Sequence, residues 1–221
     1  MKLYHGSKKV LKNPTYKGSN LTNDYGPAFY LTEELESAKE WACKNNSVGF
    51  VNEYNLDLSN LTILNLTVKE KWSVLNWVAI LLHFRELDSS FKKSFAKRLI
   101  FLEEKYYVDV EKYDVVIGFR ADDAYFRFPL DYVRGNLTVE QLNYVYKLGK
   151  LGIQYALMSE KAIQKIAFKK SFLSEKEYIN KYFENVKKST KLFDDLSKDE
   201  NGTRITDLVK DYDFSRWWLY G

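Results

Sequence analysis

Four groups of residues in this sequence have the types to do chemistry together, although they lie far apart in the chain. His5-Gly6-Ser7 closes a short apolar run near the N-terminus, and Tyr25, Gly26, Phe29 and Tyr30 crowd aromatic rings around a glycine. Gln154 opens a late β-run, and Asp122-Asp123 follow the most apolar strand candidate. An imidazole and an amide can exchange hydrogen bonds with hydroxyls. A ring beside a glycine offers a flat face where a ligand can approach the backbone. Each residue also has a plainer reading on its own. The rings can fill a core, His5 can be a satisfied core histidine, and Gln154 can be a polar residue at a strand edge. Asp122-Asp123 can be a turn held by a local side-chain bond. No Gly-rich phosphate loop, dinucleotide fingerprint, metal-binding His-Glu motif or nucleophile elbow occurs.

Residues this remote can be placed together by the strand ends of one sheet. The pattern predicts a strand at 2–5 ending at Gly6, then a turn through Asp24, Gly26 and Pro27 into a strand at 29–32. Thr32 can cap a helix over 33–44, with Leu35, Ala38, Trp41 and Ala42 on one face. Strands are expected at 48–56 and 61–66, then an amphipathic helix at 69–86 and a second at 91–106 capped from Asp88-Ser89-Ser90. Val115-Val116-Ile117 is a continuous apolar run that suits a strand buried on both faces, and Arg120-Ala121-Asp122-Asp123 is its loop. A helix at 137–148, a strand at 153–158, a helix opening at Ser159 and a short strand at 166–168 follow. From 171 to 193 the composition turns lysine-rich and helical. The aromatic tail Trp217-Trp218-Leu219-Tyr220 is expected to dock on the body.

The 221 residues suffice for one sizeable core, and 45% of them are hydrophobic, as in a folded globular chain. A net charge of +4 permits anionic partners without demanding nucleic acid. The basic rim Lys92, Lys93, Lys97 and Arg98 reads first as a solvated helix face. Cys43 is the single cysteine and His5 and His83 the two histidines, so neither a disulfide nor a Cys/His metal site is expected. Cys43 reads as packing and His83 as structural. No apolar leader opens the chain and no run is long enough to span a bilayer, so a cytoplasmic protein without membrane partners is expected.

The motifs Leu3-Tyr4-His5-Gly6-Ser7, Asp24-Tyr25-Gly26, Phe29-Tyr30-Leu31-Thr32 and Trp41-Ala42 together resemble a bacterial family of unknown function in the ADP-ribosyltransferase superfamily. Tyr113-Asp114-Val115-Val116-Ile117-Gly118 with Ala121-Asp122-Asp123 is similar to that family's central strand and loop. Gln154-Tyr155 with Ser159-Glu160-Lys161-Ala162 is similar to its last motif. The resemblance covers residues 1–170. It implies an α+β fold: a split pair of β-sheets with flanking helices, a helical insertion at about 68–107, and a helical extension over 171–221 packed on the same domain.

The diphtheria-toxin and poly(ADP-ribose) polymerase branch of that superfamily is described by a His, a Tyr and a Glu, Asp or Gln on three strands. Carried over, these are His5, Tyr30 and Gln154. The implied co-substrate is NAD+, consumed in the reaction, with no metal. Gly6, Ser7, Tyr25, Gly26 and Phe29 become its contact residues. His5 is then expected on the adenosine ribose, the Gly6 backbone on the nicotinamide amide, Tyr30 stacked on the nicotinamide ring, and Gln154 on the nicotinamide ribose.

Cleaving nicotinamide from ribose develops oxocarbenium character, as glycoside hydrolysis does. A catalyst must stabilise that charge. An amide accepts a hydrogen bond but brings no charge, so Gln154 argues against ADP-ribose chain elongation. Mono-transfer, hydrolysis of NAD+, or a fold kept only for binding stay open. Glu160 lies six residues beyond, roughly 20 Å along an extended strand, which leaves Asp122 or Asp123 to supply a carboxylate. The acceptor is protein or nucleic acid. A toxin or phage-defence role, with an antitoxin or inhibitory partner, is implied by family analogy alone.

Overall fold

The computed structural model describes residues 1–16, 19–43, 47–121, 125–148, 152–196, 198 and 201–215. Its α+β architecture centres on one seven-stranded sheet. The strands are β1 (Lys2–Ser7), β2 (Phe29–Thr32), β3 (Phe50–Leu56), β4 (Ile63–Asn65), β5 (Val115–Phe119), β6 (Ile153–Leu157) and β7 (Ile166–Leu173). Their order across the sheet is β4-β5-β6-β2-β1-β3-β7. All neighbouring pairs are antiparallel except β4–β5.

Side-chain alternation decides the two faces. On β5 and β6, Val116 and Ala156 enter the largest core cluster, while Val115, Ile117, Tyr155 and Leu157 enter a second one with Phe29 and Leu31. The largest cluster lies under the helices that join β4 to β5, because a parallel pair needs a long crossover. These are α2 (Val74–Phe84), α3 (Ser89–Ser94) and α4 (Ala96–Tyr106). Helix α2 is apolar almost all round and buries Trp77 completely. It starts at Ser73 rather than at 69, because Ser73 and Asn76 form a reciprocal cap. Asp88 caps α3 as expected. The single helix foreseen at 91–106 is broken at Phe95, whose φ of −118° and ψ of 20° leave the helical region.

Two further expectations need correction. Residues 127–134, where the sequence pattern predicts no element, form α5 (Arg127–Arg134). Pro129 in its first turn and Gly135 just past its end, at φ 88°, are the boundary signals for it. Strand β7 does not stop at 168 but pairs with β3 as far as Leu173, so the lysine-rich helix begins later. A 3-10 turn at Lys176–Asn180 leads into α8 (Lys181–Leu196), followed by α9 (Ile205–Val209). Val186, Leu192, Phe193 and Leu208 pack against the largest core cluster. The aromatic tail at 217–220 lies outside the described residues. The remaining helices are α1 (Leu35–Ala42), α6 (Val139–Leu148) and α7 (Glu160–Gln164).

One seam of the sheet is thin. Strand β1 meets β3 at six positions and β2 meets β6 at four, but β1 and β2 share one, Tyr4 opposite Thr32. The resemblance implies a split pair of sheets; here all seven strands are linked, and the weakest link falls between β1 and β2.

Candidate functional site

Past Tyr4 and Thr32, β1 and β2 no longer pair, and a side chain occupies the seam. His5 Nδ1 lies 2.7 Å from the carbonyl oxygen of Tyr30. A carbonyl only accepts, so Nδ1 carries the proton and Nε2 is left as an acceptor. The imidazole packs on Phe29, with ring centroids 4.6 Å apart, and meets Trp41 edge-on at 6.4 Å. Burial pushes its pKa down to about 4, against a raising effect of the Tyr30 carbonyl. His5 is therefore neutral throughout the physiological range.

A cleft of about 550 Å³ opens at this seam, and its walls include His5, Gly6, Phe29, Tyr30 and Gln154. Phe29 and Tyr30 flank the seam on β2, His5 and Gly6 on β1, and Gln154 stands on β6, paired opposite Thr32. Residues up to 149 positions apart thus line one groove, because β6, β2 and β1 are consecutive in the sheet.

Tyr30 is fixed by the turn before its own strand. Its hydroxyl donates to the Gly26 carbonyl at 2.6 Å and accepts from the Tyr25 N–H at 3.0 Å. Burial and the neighbouring Asp24 carboxylate raise its pKa well above the ordinary value, so the phenol stays neutral. Gly26 sits at φ 77°, and a Cβ there would come within 2.5 Å of the Phe84 ring. This glycine builds the turn that orients Tyr30, and it is not on the cleft wall. Tyr25 is fully buried, donates to the Phe119 carbonyl at 2.8 Å and packs beneath Gly118, also away from the cleft. Ser7 does not line it either. Its hydroxyl donates to the Lys9 carbonyl and accepts from Asn52 at 3.0 Å.

Asn52, which the sequence did not single out, is fully buried and clasps the loop after β1. It accepts from the Leu11 N–H at 2.9 Å and donates to Ser7 and to the Lys9 carbonyl. Leu11, Asn13 and Pro14 of that loop form part of the cleft wall. Asp122 and Asp123 lie outside the described residues.

A different carboxylate stands beside Gln154. Asp24, which the sequence marks as a turn former within one of the resembling motifs but not as a site residue, is buried, and its Oδ2 accepts from Gln154 Nε2 and from the Ala121 N–H, each at 2.9 Å. Its Oδ1 is 3.1 Å from Arg85 Nε. Burial raises the Asp24 pKa; Arg85, then the Ala121 N–H and Gln154, pull it back. Gln154 Nε2 also donates to the Phe119 carbonyl at 3.3 Å. Two acceptors on one side settle the amide orientation, leaving Gln154 Oε1 as the acceptor that the residue can offer elsewhere.

Arg85 and Arg120 bring positive charge to the same wall. Arg120 lies over the Trp41 ring at 5.1 Å, and 3.8 Å from Glu40. Arg85 terminates α2, and no local motif marks it in the sequence. The cleft therefore combines aromatic faces, a neutral imidazole acceptor, an amide backed by a carboxylate, and guanidinium groups. Such a set can hold a folded ligand with flat rings, hydroxyls and anionic groups.

Away from the cleft, His83 bonds Glu103 at 2.9 Å and stacks on Tyr107, and Cys43 is buried. Among the described residues, no group of three or more His, Cys, Asp or Glu side chains is arranged to hold a metal, and no helix is long and apolar enough to cross a membrane.

The His5 pKa gives a stability prediction. Below 6.5 the unfolded chain takes up a proton on this residue that the folded chain refuses until about pH 4. Stability contributed by the neutral ring is thus complete above 6.5 and lost as pH falls through that window. Asp24, with its raised pKa, acts in the opposite sense. Urea unfolding at pH 7, 5.5 and 4.5 should show a shallower loss for His5→Gln than for the wild type. Parallel curves would refute the assignment.

A family model described as "Protein of unknown function (DUF3990)" matches residues 1–168. No curated protein and no solved structure matches the chain.

Proposed function

The chain belongs to this DUF3990 family, and from that premise we propose that it is an NAD+-dependent mono-ADP-ribosyltransferase. The observation that carries the reading is the meeting of His5, Phe29, Tyr30 and Gln154 around one cleft where β1 and β2 part. Each has a part that its environment suits. The neutral His5 ring, fixed through Nδ1, offers Nε2 to a hydroxyl of the adenosine ribose. Tyr30, its hydroxyl tied back to the turn, presents a rigid ring to nicotinamide. The Gly6 backbone meets the nicotinamide amide, and Gln154 Oε1 meets the hydroxyls of the nicotinamide ribose. Arg85 and Arg120 lie on the wall where a diphosphate is best met by guanidinium groups.

In the reaction the bond between ribose C1′ and the nicotinamide ring nitrogen breaks, and its electron pair stays on that nitrogen. Nicotinamide leaves neutral. The acceptor's oxygen or nitrogen forms the new bond to C1′ and gives up its proton to solvent. Holding NAD+ bent, with C1′ exposed to the acceptor, supplies the orientation part of the barrier. The acceptor is a protein or a nucleic acid.

The test is incubation of the full chain with NAD+ labelled in the adenylate half, following nicotinamide release and transfer of label. Release with label on macromolecules is the expected result. Release as free ADP-ribose would make the protein an NAD+ glycohydrolase instead. Binding without release would make it an NAD+-binding module, the reading that the uncharged Gln154 favours. Absence of binding would end all three.

A further inference from the structure

We propose that Asp24, which itself stands on the cleft wall, is the positioning carboxylate of this cleft, set against Gln154 Nε2 so that the amide meets the nicotinamide ribose with a polarised carbonyl oxygen; this deepens the NAD+ reading above and rests on it. An uncharged glutamine is a poor partner for a developing oxocarbenium ion. The geometry provides a remedy one bond further out. Gln154 Nε2 donates to Asp24 Oδ2 at 2.9 Å inside the protein. An amide N–H given to a carboxylate shifts electron density toward the amide oxygen, and such polarisation grows where water is excluded. Gln154 is 3% exposed and Asp24 7% exposed, so little solvent competes.

The couple is also held in register. The Phe119 carbonyl takes the second Nε2 hydrogen, so the amide cannot turn its oxygen inward. The Ala121 N–H donates to Oδ2, the oxygen that also accepts from Gln154, and Arg85 Nε lies 3.1 Å from Oδ1. Arg85 offsets the carboxylate in the resting protein. When positive charge appears at C1′, the oriented amide dipole is already aimed at it, with no group left to reorganise. Asp24 thereby does through Gln154 what a glutamate at 154 does directly.

The test uses a reciprocal pair of substitutions. Asp24→Asn keeps the size of the side chain and removes the charge. It is expected to lower kcat for nicotinamide release by about 10- to 100-fold, by analogy with the outer hydrogen-bond partners of metal ligands, with the Kd for NAD+ moving no more than about 3-fold. Gln154→Glu alone puts a second carboxylate against the first and is expected to be impaired. Adding Asp24→Asn to Gln154→Glu should then raise turnover, because one charge and one amide are restored in exchanged places. The same substitution thus harms one background and helps the other, which loss of folding cannot produce.

The inference is overturned by wild-type kcat in Asp24→Asn, by equal losses in kcat and affinity, or by a double variant no better than Gln154→Glu. If Asp24→Asn does not fold, the comparison of the double variant with Gln154→Glu decides alone. A wild-type chain that neither binds nor splits NAD+ takes down the function and this inference together. A turning-over wild type with an indifferent Asp24 takes down only the inference.

Discussion

Gly6→Ala should destabilise the protein by about 1–3 kcal/mol or more, the cost of forcing extra atoms into a packed site. A Cβ on Gly6 would lie far inside contact of the Ala38 carbonyl oxygen, 2.5 Å from the Ala42 nitrogen and 2.7 Å from the Trp41 Cβ. Two of these atoms are backbone of α1, so no rotamer change relieves them. Either β1 or α1 must shift. Tyr4, Ala38, Ala42 and Val51 form a small cluster across that contact, and it would open. The site would suffer as well, because His5 and Trp41 stand on the two elements being forced apart. Urea unfolding is the measurement. A midpoint equal to the wild type would mean that β1 and α1 are not packed this closely. The resemblance implies a glycine at 6 whose backbone meets the nicotinamide amide. The tertiary contact gives an independent reason, and it holds with or without a ligand.

Tyr30→Ala should reduce nicotinamide release at least about 100-fold, the scale on which a displaced reacting group costs rate. Tyr30→Phe should stay within about 10-fold of the wild type. The two variants separate the ring from its hydroxyl. Phenylalanine keeps the flat face and leaves the Gly26 carbonyl and the Tyr25 N–H without their partner, a cost of about 1–3 kcal/mol in stability. Alanine removes the face too, opens the wall beside Phe29, and frees the turn at 23–26 that also carries Asp24. Both variants should lose stability, Tyr30→Ala more than Tyr30→Phe because it also removes a ring packed on the core, but only Tyr30→Ala should lose rate on the 100-fold scale. Equal activity in the two would show that the ring is not part of the reacting site.

Much of the candidate site was legible because its pieces are local. A polar or aromatic residue at the end of a short β-run, next to a glycine, can be seen in a few letters. His5 shows this pattern, Tyr30 follows a turn into its strand and Gln154 stands near a strand start; the resemblance joins the three as one site, and the cleft gathers all three. Tyr25, Gly26 and Ser7 were drawn in by nearness in sequence. In the fold they serve the scaffold: a buried phenol, a left-handed turn, and a partner for Asn52.

Asp24, Arg85 and Asn52 were not legible as site residues. Aspartate in a turn and arginine at a helix end are ordinary surface choices, and nothing local says that either is covered. Local patterns determined the identity of the strands and most helices, the Asp88 start and the weak point at Gln154, but they began α2 at 69 rather than at its Ser73 cap. They erred at β7, whose last residues are strand because β3 extends alongside to pair with them, a non-local partner that no window of sequence contains. Only the tertiary structure decided that β1 and β2 part after one shared position and that His5 fills the gap. The same long-range packing brings a carboxylate from the first turn against an amide 130 residues later. Propensity acts between neighbours in the chain; burial and ion pairing act between neighbours in space.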